Sequence, residues 1–538
     1  MKQINKYLVL SVLFAVVFSS CTHFLDNEPT GATVTQEQYD KNPNSLEAHV
    51  NGLYAAMIVV QDHDLFGQKS WDIKTDMIAS DMALVRANYG WFSYDAILNN
   101  TGPSLYLSDL LWSYYYRIIK NANMILSRVI TEEQRQKAFH PVTFEDKVYS
   151  HLIGEAYAMR SWCYYWLSIY YIMYPELGVK SPTLSKECVP YYDEFTPLEP
   201  QEFMKLGNLL TITDSCLIES IKLMSFYEAD DDYSRMVKTN MTVDVAKGVR
   251  AYLNLYRAAI DDNNPVFLQK VFDVCDDIIS TGKYPILPYG EVLSSGFRSV
   301  DAKNWMWGID IDMESRGALA SFWGQVDIFT YSYAYAGDVK AIDETLYNEL
   351  GVDKTPVARE DIRKFWFNTT ESDNLRLDLY KLAPTGKFYA KEKPVFGGDR
   401  VWVNDIVFMR SEEIYLLAAE AAAREGDIAK AATYLEPLVE QRDPNRAREL
   451  SGITNLSEMI NEIYFNWRVE LWGEGKGYTT MNRMYLPKNG VLPWCKTVRT
   501  RGDNHKYLKS KEIIPFDLYS TVLWLPNNEL RYNPYAPK

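Results

Sequence analysis

Apolar residues along this chain recur at intervals of three and four over long stretches. The spacing predicts α-helices over roughly 46–60, 105–130, 147–174, 201–225, 242–261, 266–281, 409–425, 428–442 and 456–473. Period-two alternation, which marks half-buried strands, is scarce. Regions 62–104, 282–408 and 474–538 carry Gly, Pro and aromatic residues without a sustained period. Structureless loops of that length are uncommon in a compact domain unless they carry function. The pattern predicts a mostly α-helical scaffold, with repeats mainly within 46–281 and 409–473, supporting an irregular loop-built face.

The predicted helices come in pairs. In EEIYLLAAEAAAREGDIAKAATYLEPLVEQRDP one helix ends at Gly426-Asp427 and a second begins at once. Ala431 and Tyr434 fall where a tetratricopeptide unit places a small residue and an aromatic in its second helix. A second pair, VAKGVRAYLNLYRAAIDDNNPVFLQKVFDVCDDIISTGKYP, breaks at the DDNNP turn and closes at Gly282, a suitable C-cap. These pairs lie far apart in sequence, so any superhelix is assembled from discontinuous parts.

The N-terminus follows a different pattern. Lys2 and Lys6 precede the apolar run Tyr7 to Phe18, which at about 1.5 Å per residue is too short to cross a bilayer of about 30 Å. Small Ser19 and Ser20 then precede Cys21. Residues 1–20 read as a secretory signal of the lipobox type, with Phe18 where Leu is usual. Cys21 becomes the acylated first residue of a mature chain, 21–538, read as one domain and held on a membrane by its acyl chains. A plain signal peptide followed by a chance cysteine is the alternative.

Composition narrows the partners. Of 538 residues, 47% are hydrophobic and 24% charged, which suits a folded protein with a sizeable core. A net charge of −15 argues against nucleic acid, whose phosphates require basic surface. Apart from Cys21, the cysteines (163, 188, 216, 275 and 495) are odd in number and scattered, which reads as free thiols and not a disulfide framework.

Catalytic patterns are weak. Asp310, Asp312 and Glu314 alternate in GIDIDMES, but acids so spaced on a loop are ordinarily solvated. The six His are scattered without a ligand motif, and Asp230 to Asp232 lack calcium-loop spacing. No catalytic residue and no metal-ligand set is picked out. Binding patterns are stronger. Glycans are gripped by an aromatic face under the ring and by amide, carboxylate or guanidinium groups at the hydroxyls. Asp81, Arg86, Asn88, Tyr89 and Trp91 supply that kit within eleven residues, although Trp91 and Phe92 would serve equally to anchor their loop to the core. Trp323, Tyr331, Tyr333 and Tyr335 form a second group; if that stretch is extended, the three tyrosines share one face. Trp305 and Trp307, and the tyrosines of 106–116 and 157–174, read as packing.

Six blocks in order carry a family resemblance: FLDNEPTG after Cys21; GEAYAMRSWCYYWLSIYY from Gly154, with Ser161 replacing an Ala; AKGVRAYLNLY with CDDIISTGKYPI; RSEEIYLLAAEAAAREGD; IYFNWRVELWGEGKGYTTMNR; and LWLPNNELRYNPYAPK at the end. The chain resembles the SusD/RagB-like nutrient-binding lipoproteins of the Bacteroidetes outer membrane, departing from them at Lys476-Gly-Tyr-Thr-Thr, where Arg-x-x-Asp-Leu is common. The resemblance implies a superhelix of four tetratricopeptide-like units with an irregular ligand-binding half, part of whose site lies in the loop holding Trp91. It implies a lipid-anchored protein on the outer membrane, facing outward, that captures a nutrient and passes it to a partner TonB-dependent β-barrel. It also implies a non-enzyme with no organic cofactor. An oligosaccharide is the expected ligand; a peptide, or a periplasm-facing scaffold role, are the alternatives.

Overall fold

The computed structural model describes residues 45–96, 106–129, 131–171, 183–229, 238–312, 319–351, 360–369, 377–389, 396–398, 403–485, 487–488, 492–493, 501–505 and 523–537. Cys21, Asp230 to Asp232, Glu314 and Cys495 lie outside them. The chain divides into two units, 1–51 and 52–538. Of the first, residues 45–51 are described, and they form the start of a helix, Ser45–Ala56. The second unit is built from helices α1 (Gln68–Ile78), α2 (Tyr106–Leu126), α3 (Glu132–Phe139), α4 (Phe144–Tyr170), α5 (Leu206–Glu228), α6 (Val243–Ile260), α7 (Pro265–Ser280), α8 (Ser411–Glu425), α9 (Ile428–Glu440), α10 (Pro444–Leu450), α11 (Leu456–Glu470) and α12 (Gly477–Tyr485).

Each of the nine predicted helices is present, with ends moved by local chemistry. α4 starts three residues earlier than the apolar period suggests, because Thr143 caps it. The Thr143 side chain accepts from the Asp146 N–H and the Asp146 carboxylate accepts from the Thr143 N–H, a reciprocal cap. Residues 203–205 form a strand, so α5 begins at Leu206. Gly426 ends α8 in the left-handed region (φ 91°), and the Asp427 side chain caps α9 through the Lys430 N–H.

The helices stack in series: α2 on α4, α4 on α5, α5 on α6, α6 on α7, α7 on α8 and α8 on α9. The α7–α8 contact is made although residues 281–410 intervene, so the superhelix is closed across a long excursion. Small residues allow close approach. A Cβ on Gly154 would lie 2.6 Å from Met224 and 3.0 Å from the Ser220 carbonyl, between α4 and α5. Ala431 is fully buried, and Tyr434 stacks on Phe272 of α7 (centroids 6.0 Å apart, planes 9° apart). The tyrosines of α2 and α4 are packing residues, with Tyr115, Tyr164, Tyr165 and Tyr170 all buried. Cys163, Cys188 and Cys275 are buried, and Cys216 is half-buried.

The loop-rich regions hold more order than the sequence pattern suggests. Among the described residues, four two-stranded antiparallel ribbons occur: β1 (Met82–Leu84) with β5 (Lys340–Ile342), β2 (Glu187–Pro190) with β3 (Phe203–Lys205), β4 (Trp305–Ile309) with β6 (Ile406–Arg410), and β7 (Pro487–Lys488) with β8 (Leu492–Pro493). Trp305 and Trp307 are buried on β4. A second core gathers Ile73, Met82, Phe92, Trp305, Trp323, Trp366, Phe388 and Trp472 from both the helical and the loop-built parts.

These parts are fastened by charge. α11 and the turn after it carry Glu470 and Glu474, both buried. Arg410, at the end of β6, donates to Glu470 (2.7 Å) and to both oxygens of Glu474 (2.9 Å each). Arg442 and Arg363 also donate to Glu470 (2.9 and 3.1 Å), and Lys387 donates to Glu474 (2.7 Å). Lys476, the departure from the family pattern, pairs with Glu413 (3.2 Å) and donates to the Phe408 carbonyl (3.0 Å). Burial alone would push Glu474 up, but Arg410 and Lys387 outweigh it and bring the carboxyl down to about 2. Its folded value lies below the unfolded one of about 4.3, so its stabilisation is complete above that value and is lost as pH falls towards 2. Urea denaturation between about pH 6 and pH 3 should therefore show a falling midpoint in the wild type. Glu474→Gln should be less stable at the upper pH, with a shallower fall; an equally steep fall in the variant would place the acid sensitivity elsewhere.

Candidate ligand-binding site

The β1–β5 ribbon brings the two candidate segments together. Met82 pairs with Ile342 and Leu84 with Lys340. The ladder continues past the strands, with Val85 N–H donating to the Val339 carbonyl and Val339 N–H to the Arg86 carbonyl (3.0 Å each). The loop after β1 and the segment before β5 are thus neighbours, and two further bonds hold them. Asn88 Nδ2 donates to the Ala336 carbonyl (3.0 Å), and Tyr89 N–H donates to the Asp338 carboxylate (2.8 Å).

The rings of these segments form one aromatic group. Tyr333 lies edge-on to Tyr89 (centroids 5.3 Å apart) and to Trp91 (6.0 Å). His63, which the sequence pattern does not single out, completes it. Its ring is 4.9 Å from Trp91 and 5.2 Å from Tyr333, and its Nδ1 lies 3.0 Å from the Tyr333 hydroxyl. Tyr89 is 56% exposed, Arg86 and Asn88 are exposed, and Trp91 is half-buried. Phe92 anchors the loop to the core, and Trp91 does so in part. Phe92 is buried, in the left-handed region (φ 64°), with the Lys74 and Lys340 ammonium groups 4.7 and 4.9 Å from its ring centroid. Trp91 rests one part on that core and leaves the rest open.

Beneath the rings is a buried polar layer. Lys74 pairs with Asp95 (2.9 Å) and Asp64 (3.0 Å). Burial works against its charge, but Asp95 and Asp64 outweigh it and hold Lys74 above the ordinary lysine value. Lys340 donates to Gln325 and to the Asp338 carbonyl, and Gln325 in turn donates to the His63 carbonyl (2.9 Å). Burial brings Lys340 down to about 7, with Asp338 and Asp64 opposing that fall.

Other candidates lie apart from this group. The segment 331–337 is a series of turns and is not extended, with Ala336 N–H donating to the Ser332 carbonyl and Gly337 N–H to the Ala334 carbonyl. The three tyrosines therefore do not share a face. Tyr331 and Tyr335, four residues apart, are 5.9 Å from each other, and Tyr335 is 5.1 Å from Phe396, whereas Tyr333 joins Trp91. Trp323 is buried in the core, 2% exposed. Asp81 is equally buried and accepts from Arg468 Nε (2.7 Å), while its carbonyl accepts from Trp472 Nε1 (2.9 Å). Asp310 and Asp312 are exposed.

A model described as the SusD family matches residues 351–534, and one described as "Starch-binding associating with outer membrane" matches residues 23–202. Among solved structures, the chain is similar to a SusD-like carbohydrate-binding protein from Bacteroides vulgatus, with 21% identity, 82% of this chain and 83% of that chain covered, and a TM-score of 0.62. It is also similar to a SusD superfamily protein from Bacteroides thetaiotaomicron (18% identity, 92% and 98% covered, TM-score 0.66) and to surface glycan-binding protein A from Bacteroides uniformis (14%, 92% and 99%, TM-score 0.61). Among curated proteins none matches.

The geometry separates positions that hold the fold from positions that face outward. Asp81→Ala would strand the buried Arg468 guanidinium and should cost about 3–5 kcal/mol in chemical denaturation. Tyr89→Ala, at an exposed ring, should stay within about 0.5 kcal/mol of wild type. Equal losses would contradict this division.

Proposed function

We propose, from the membership of this chain in the SusD/RagB-like family, that it is a cell-surface lipoprotein that captures an oligosaccharide and delivers it to a partner TonB-dependent barrel in the outer membrane. The observation that carries the ligand reading is the convergence of His63, Tyr89, Trp91 and Tyr333 from three separate parts of the chain, with Asn88 and Arg86 exposed beside them. Flat rings suit the C–H face of a sugar, and an amide and a guanidinium beside them suit its hydroxyls. Tyr331 and Tyr335 are assigned to a flanking contact for a longer chain; Asp81 and Trp323 are assigned to support. The glycan-binding relatives from Bacteroides vulgatus and Bacteroides uniformis favour the same ligand class. Delivery to the barrel and attachment through Cys21 rest on the family resemblance and on the sequence before Cys21. The activity so read is binding, with no catalytic step.

Arg86 favours a second reading, because an exposed guanidinium also holds a carboxylate, whether of a peptide or of an acidic sugar. Calorimetry against glycan and peptide panels separates the two. A glycan should bind wild type, and Trp91→Ala should weaken it by about tenfold to a hundredfold with the melting temperature nearly unchanged. Tight peptide binding without a glycan response would overturn the ligand class, and unchanged affinity in Trp91→Ala would move the site.

A further inference from the structure

A cavity of about 410 Å³ lies along α2, sharing no lining residue with the aromatic group around Trp91. Its floor is one stripe of α2, with Trp112, Tyr116, Ile119, Asn123 and Met124, and its far wall is the segment after β2, with Pro190, Tyr192 and Leu198. The volume is that of a small-molecule site, and the lining sets aromatic and aliphatic side chains beside polar and charged ones. The aromatic wall is braced from behind. Trp112 is 4.8 Å from Tyr116 and 5.0 Å from Tyr171, and Tyr116 is 5.9 Å from Tyr192. The Tyr116 hydroxyl is committed to the Pro190 carbonyl (2.6 Å), so the ring and not the hydroxyl faces a ligand.

The polar groups around this wall are mainly acidic. Glu194 is satisfied by Arg160 (2.6 Å). Asp193 uses one oxygen to accept from Phe195 N–H and Thr196 Oγ. Half-buried Glu529 accepts from Asn533 through Oε1 (2.6 Å) and has no ion-pair partner among the described residues. Burial pushes its carboxyl above the ordinary value. Trp112 and Glu529 also line an adjoining cavity of about 220 Å³ that contains Asp109. The opposing charge is Lys120, which is exposed and lines the larger cavity.

We propose that this cavity binds an organic ammonium on an aliphatic stem, with the cation at Glu529 against the Trp112 and Tyr116 rings and the stem along Ile119, Met124 and Leu198. Three aromatic rings lining one cavity with a carboxylate that has no ion-pair partner among the described residues form the arrangement that recognises alkylammonium groups. Such a group is the end of a free diamine or the side chain of a lysine in a peptide.

The test is calorimetry on the full mature protein with 1,5-diaminopentane, Nα-acetyl-lysinamide and neutral 1-pentanol. Saturable binding of either amine, absent for the alcohol, is expected, and the tighter amine identifies the source. Glu529→Gln should weaken it about tenfold, and Lys120→Ala, at an exposed residue, should tighten it by removing a like charge. Melting curves accompany each variant. No saturation by either amine in folded wild type, equal binding of the alcohol, or no change in both variants would overturn the proposal.

Discussion

Two carboxylates, Glu470 and Glu474, sit where three parts of the structure meet. Arg410 reaches them from β6, Arg442 from the end of α9, and Arg363 and Lys387 from the loop-built part. A buried carboxylate without partners would cost several kcal/mol, and so would each of these cations; together they satisfy one another. The sharing makes the arrangement stringent. Withdrawal of any member leaves an uncompensated charge at the junction, so the loop-built part docks in one position on the helices. Apolar packing around Trp366, Phe388 and Trp472 adds non-directional burial in the same region.

The same turn reaches towards the ring group. The Asp76 carboxylate, near the end of α1, accepts from the N–H groups of Gly473 (2.9 Å), Gly475 (3.3 Å) and Gly477 (3.1 Å). Gly475 is at φ 75° and its missing Cβ would fall on Asp72, so glycine is required there. Arg468 and Trp472 then hold Asp81, immediately before β1. β1 registers against β5, and the residues that follow it are Arg86, Asn88, Tyr89 and Trp91. The exposed Tyr89 and half-buried Trp91 rings thereby follow a strand whose base is fixed by the Asp81–Arg468 ion pair.

Helices α5, α7 and α9 were legible because each buries one stripe whose period survives in sequence, and α4, α8 and α11, buried on nearly every side, were legible by their length. α1 was not. Its eleven residues, QKSWDIKTDMI, are all buried, charged ones included, so no polar face remains to reveal the helix. Two of the blocks that carry the family resemblance supply buried charge: Arg410, Glu412 and Glu413 in RSEEIY, and Arg468, Glu470 and Glu474 in RVELWGEG. Their chemistry pointed to structure and not to ligand. At the candidate site, the compact set Asn88, Tyr89 and Trp91 was readable because a single loop carries it. Asp81 belonged to the same set by proximity, yet it points into the ion pair with Arg468. The alternating tyrosines misled because turns from Ser332 to Gly337 change their period from two to four. His63 left no trace, since only the tertiary fold brings it to Trp91.

Hydrogen exchange on Glu470→Gln tests most directly whether the buried carboxylates hold the ring-bearing loop in place. The amides to follow are Val85, bonded to the Val339 carbonyl, and Tyr89, bonded to Asp338, with α5 as an internal reference. The account predicts faster exchange at Val85 and Tyr89 in the variant while α5 keeps its protection. Unchanged protection at both amides, in a variant shown to be destabilised, would contradict it.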